Sequence, residues 1–112
     1  MTLVEIDTGR IRDWDTFHDV FAEVFGFPAF YGRNMDAWID CMTWLDDPSA
    51  EMTAIHAPPG GVVVLQLAAV DDFARRCPEQ FAALVECSAF VNWRKIGTGE
   101  PAVLALSYFR AA

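Results

Sequence analysis

The stretch that most restricts the fold is Val62–Leu67, VVVLQL, in which a single polar residue interrupts an apolar run. A strand with one wet face alternates apolar and polar residues. A near-continuous apolar run is instead the pattern of a strand buried on both faces, as in parallel sheets. Two more segments qualify as strands. Thr2–Ile6 is short and β-branched, and Ala102–Phe109 follows a break at Gly97–Pro101. Helical patterns separate the three, so the pairing is expected to be parallel, with right-handed crossovers. A chain of 112 residues has the length of one domain. The sequence thus predicts a small α/β domain over residues 1–112, with about three parallel strands and helices packed against the sheet.

The helices follow from apolar spacing and punctuation. Trp14, Phe17, Val20, Phe21, Val24 and Phe25 recur at helical intervals, with Asp13 or Asp15 available as N-cap. Gly26 is placed to end that helix, and Pro28 prevents its resumption. A second helix is expected over Asn34–Leu45, capped by Asn34. Asp46–Gly61 reads as a loop, long enough to be either functional or mobile. Asp71 or Asp72 is expected to cap a short helix through Cys77. Pro78 suits the first turn of a last helix to about Trp93, with Phe81, Leu84, Val85, Ser88 and Val91 inward.

Charge and composition remove several classes of function. A net charge of −8 and a pI near 4.4 repel nucleic acid and anionic membranes, and favour encounter with basic proteins. Cys41, Cys77 and Cys87 are too few for a disulfide scaffold, and their odd number fits a reducing compartment. The first ten residues show no basic region followed by an apolar core, so no signal peptide is expected and the location is read as cytoplasmic. Met52–Val70 carries no Asp, Glu, Lys or Arg, but its apolar runs are broken by His56 and by Pro58-Pro59-Gly60-Gly61. A spanning helix needs about 20 predominantly apolar residues, so no membrane segment is expected.

The second helix holds the candidate site. Residues at 100° steps divide it into two faces. Met35, Trp38, Ile39, Met42 and Leu45 form the buried side; Asp36, Asp40, Thr43 and Trp44 form the other. Two carboxylates one turn apart, with an indole one turn further on and no cation within the helix, make an unusual solvent face. It reads as a binding surface, although Asp36 also suits the positive end of the helix dipole. Trp44 is a residue type typical of binding hot spots, or else tucks beneath the long loop. Cys41 reads as a half-buried packing thiol, His18 as solvated on the outer side of the first helix, and His56 as a loop residue. None of them sits in a nucleophile motif, so no enzyme is expected. Two carboxylates without His or Cys at a recognised spacing imply neither metal nor cofactor.

The stretch Phe30-Tyr31-Gly32-Arg33-Asn34-Met35-Asp36-Ala37-Trp38-Ile39-Asp40-Cys41-Met42 resembles the Tyr-Gly-x-Asn-x-Asp-Ala-x-x-Asp-x-Leu/Met signature of barstar-like ribonuclease inhibitors. The Ile11-Arg12 turn, Pro28 and the order of strands and helices are also similar to that family. The resemblance implies a cytoplasmic inhibitor that closes the active site of a basic secreted ribonuclease, monomeric when free. It implies that Asp40 enters the pocket built for substrate phosphate and that Asp36 pairs with a nearby cation. Gly32, which also suits a turn of positive φ, would let backbone approach the enzyme, while Tyr31, Asn34 and Thr43 flank the contact. The alternatives are an immunity protein for another nuclease toxin domain, or an acidic module for a basic non-nuclease partner. Arg33 and the basic pair Arg94-Lys95 stand where the family's best-known member carries acids or leads into further acids.

Overall fold

A computed structural model describes residues 1–111. Strands β1 (Thr2–Ile6), β2 (Val63–Leu67) and β3 (Leu104–Ser107) form a parallel sheet in the order β1-β2-β3. Helices α1 (Trp14–Phe25) and α2 (Met35–Thr43) lie between β1 and β2, and α3 (Val70–Arg76) and α4 (Pro78–Gly97) between β2 and β3. This is the expected α/β architecture. Both crossovers step in the same direction across the sheet, and right-handed connections then put the helices on one side. Val4, Ile6, Val63, Leu65, Leu67 and Leu104 face that layer and are buried with Phe17, Phe21, Trp38, Met42 and Leu84.

The same topology corrects the reading of Val62–Leu67. The register aligns Leu3, Val64 and Ala105 in one row and Glu5, Gln66 and Ser107 in the next. These side chains share the uncovered face: Leu3 is 49% exposed, Glu5 and Gln66 are exposed, and the others are half-buried. The central strand is therefore covered on one face only, because no connection crosses to the other side.

Local signals place the helix ends. Asp13, rather than Asp15, caps α1. Its carboxylate accepts from the Thr16 amide at 2.8 Å, and the Thr16 hydroxyl accepts from the Asp13 amide at 3.0 Å. Gly26 ends α1 in the left-handed region, at φ 64°. Neither Asp71 nor Asp72 caps α3: Ala69 does so at φ 51° without a side-chain bond, and both acids fall in the first turn. Helix α4 runs to Gly97, beyond the expected Trp93, and β3 is shorter than Ala102–Phe109.

The 46–61 segment is a packed bracket. It contains a 3₁₀ turn at Pro48–Ala50 and buries Thr53 and Ala57. The Ala54 amide donates to Phe25 O at 2.7 Å, and the Ala57 amide to Leu45 O at 2.8 Å, so the bracket satisfies carbonyls left over at the ends of α1 and α2. The Thr2 hydroxyl donates to His56 O at 2.9 Å, which ties the bracket to β1.

Candidate partner-binding surface

Helix α2 presents the expected two faces. Trp38, Ile39, Cys41, Met42 and Leu45 are buried; Asp36, Asp40 and Trp44 are exposed along one line, a turn apart. The Asp40 side chain is 62% exposed and Trp44 44%. Met35, expected inside, is half-buried. The Trp38 indole fixes the helix against Phe21, edge to face at 5.7 Å. Asn34 caps the helix by accepting from the Ala37 amide at 2.8 Å. Tertiary packing and the cap together make the helix a stiff support for its carboxylates.

The flanking residues are more committed than the sequence suggests. The Thr43 hydroxyl donates back to Ile39 O at 2.7 Å. The Tyr31 hydroxyl lies 2.6 Å from His18 Nδ1, and burial raises its pKa. His18 is therefore not solvated; it is 4% exposed, between Trp14 and Tyr31. Burial and then Arg33 lower its pKa, despite Asp15 and Asp19 nearby. The signal was present in the sequence: four residues after Trp14 and seven before Phe25, position 18 lies on the shoulder of the apolar stripe. Gly32 is exposed and does not take the left-handed conformation; Arg33 does, at φ 53°. A Cβ at Gly32 would meet Ala37 Cβ at 3.4 Å, an ordinary contact, so internal packing does not demand glycine there.

The helix itself carries no cation, as its sequence reads, but a neighbouring helix supplies one. Arg94 of α4 reaches across, with Nη1 3.5 Å from Asp40 Oδ1. Asp36 has no ion-pair partner among the described residues. Arg33 turns to α1 and pairs with Asp19 at 2.8 Å. Lys95, one half of the basic pair, is 4% exposed. Its ammonium donates to both oxygens of Asp46 at 2.9 and 2.8 Å and lies 2.6 Å from Glu100. Burial depresses its pKa, the two carboxylates raise it, and the carboxylates prevail.

Two cavities, of about 530 and 440 Å³, lie at the carboxyl ends of the strands, and neither is lined by Asp36 or Asp40. Beside Trp44 is a shallow notch of about 250 Å³, walled by Arg94, Thr98 and Glu100. Cys41 is fully rather than half buried, and burial followed by the Asp40 charge pushes its pKa to about 11, far from that of an activated thiol. Among the described residues no group of three His, Cys, Asp or Glu could hold a metal ion. Among the described residues no helix is long and apolar enough to cross a membrane.

Comparison with known proteins gives two findings. Residues 1–105 match the family model described as Barstar (barnase inhibitor). The chain is also 39% identical over 49 residues to a Bacillus subtilis (strain 168) protein named "Putative ribonuclease inhibitor YrdF". That match covers 43% of this chain and 54% of the relative, so the chain spans about half the length of the curated protein it matches. The match over 105 residues, with the three-stranded parallel sheet and its helical layer, shows that the chain belongs to the Barstar (barnase inhibitor) family.

Proposed function

We propose that this protein, acting as one domain over residues 1–112, inhibits a small basic ribonuclease by seating the outer face of α2 in its RNA-binding site. The observation that carries the reading is the exposed line Asp36–Asp40–Trp44 on a capped, packed helix, away from the two cavities at the carboxyl ends of the strands. A ribonuclease site holds cations around an anion. A carboxylate on a rigid element can occupy the phosphate position and offers no bond to cleave. Asp40 takes that position and Asp36 meets a neighbouring cation. Gly32, a glycine that internal packing does not require, allows close backbone approach. Tyr31, Asn34 and Thr43 shape the contact through the inward bonds that fix them.

The Arg94–Asp40 pair does not defeat this reading. Exposed pairs of this kind contribute about 0–1 kcal/mol, whereas a carboxylate truncated out of a buried, hydrogen-bonded contact costs roughly 2–5 kcal/mol. A pair this weak and exposed leaves Asp40 free to exchange Arg94 for a partner's cations at little cost. Arg94 does change the charge pattern beside Asp40, which favours a second reading with the same face and a different partner, a nuclease toxin domain or a basic non-nuclease protein. The three unpaired thiols suit action in a reducing cytoplasm, where an inhibitor would protect cellular RNA.

The experiment is calorimetric titration of the chain and of Asp40→Ala into purified small basic ribonucleases, barnase among them, at two salt concentrations. Tight, salt-sensitive binding that Asp40→Ala weakens by at least about a hundredfold is expected. Binding indifferent to both Asp40 and salt contradicts the mechanism.

A further inference from the structure

Helix α4 carries a second unusual surface. Phe90, Trp93 and Ile96, spaced by three residues, project from its outer side, with Trp93 70% exposed and Ile96 61%. Phe90 and Trp93 are stacked with ring centroids 5.7 Å apart. Three large apolar side chains grouped on the surface of an acidic chain are a costly feature unless something covers them. The group is physically continuous with the acidic face of α2. The Arg94 guanidinium lies 5.8 Å from the centre of the Phe90 ring and 3.5 Å from Asp40, and it also walls the notch beside Trp44.

We infer that the partner-binding surface runs from Asp36, Asp40 and Trp44 across Arg94 onto Phe90 and Trp93, and that the partner is a nuclease whose cationic site is bordered by an apolar shelf. The inference rests on the ribonuclease reading and adds the partner's second feature. Charge decides between occupants of the stripe. A second copy of this chain would bring one net charge of −8 against another, with Asp40 close to the seam. A basic nuclease is attracted by the same field. The arrangement divides the work: the carboxylates supply steering and the anion mimic, and the aromatic pair supplies rigid contact area that salt does not screen. Arg94, between them, selects against a partner with a cation at the middle of the contact.

The test uses the full chain with Asp40→Ala, Phe90→Ala and Trp93→Ala, titrated against the same panel of small basic ribonucleases at low and high salt. Sedimentation of each variant alone accompanies the titrations. Circular dichroism confirms that the exposed-site variants fold. The expected result is that Trp93→Ala and Phe90→Ala each weaken binding roughly tenfold or more, and that this loss persists at high salt while the Asp40→Ala loss shrinks. If Asp40→Ala weakens binding and both aromatic variants stay within about twofold, the inference is overturned and the ribonuclease reading stands. A wild-type dimer that Trp93→Ala dissociates overturns it as well, since a second copy then covers the stripe. Binding to none of the ribonucleases overturns the ribonuclease reading and this inference with it.

Discussion

Single side chains carry the sharpest expectations. Arg94 holds Asp40 loosely, at 3.5 Å, and adds a positive charge to an acidic face. Arg94→Ala is expected to raise the association rate with a basic ribonuclease several-fold at low salt, by roughly the factors that surface charges lend to steering, and stopped-flow mixing checks it. His18 gives a pH dependence. Burial lowers its pKa below the ordinary imidazole range, so the unfolded chain binds more protons there. Stability is then fully present above the unfolded pKa and declines as pH falls through the folded one. Thermal melts at successive pH values below about 6.5 should show that decline, less steep in His18→Gln. An unchanged slope would remove His18 as the cause. Local spacing puts His18 on the shoulder of the apolar stripe but does not name what covers it, and it says nothing of the Arg94–Asp40 pair. Arg94 and Asp40 are 54 positions apart, and His18 is buried by a segment that begins beyond its own helix.

At the scale of elements, what was readable was what the chain encodes locally. The strand Thr2–Ile6, the Asn34 cap, the Gly26 stop and the Pro78 start all rest on residues within a few positions of the feature they fix. The end of α4 was missed because a buried ammonium, not an apolar residue, continues its inner face. Lys95 draws together Asp46 beyond α2 and Glu100 before β3, a bond between three segments that no single window of sequence contains. Lys95→Ala should lower stability by about 1–3 kcal/mol in urea unfolding, the cost of leaving charged groups short of a partner. The 46–61 bracket makes a companion case. Gly26 sits at φ 64°, and a Cβ there would come within 2.8 Å of Ala54 Cβ. Gly26→Ala is expected to cost at least about 1–2 kcal/mol from the left-handed backbone alone, with the clash adding to it, by the same unfolding measurement. A value near zero would mean that the bracket yields easily.

Over the whole molecule, the strand order decides more than composition does. The VVVLQL run suggested a doubly covered strand, and only Gln66 hinted otherwise; the uncovered face follows from two crossovers that step the same way. The candidate site was legible as a pattern of acids on a helix, and its neighbours on α4 were not, because helix–helix adjacency is a property of the assembled fold. The net charge of −8 predicts that association with a basic partner slows steeply as ionic strength rises, while dissociation changes less, which surface plasmon resonance at graded salt would read. The bare row Leu3–Val64–Ala105 and the outer side of α2 look in different directions. A bead linker or fluorophore coupled at Gln66→Cys would thus hang from the molecule's back, and the chain could be immobilised there while the acidic face proposed for partner binding stays open for capture.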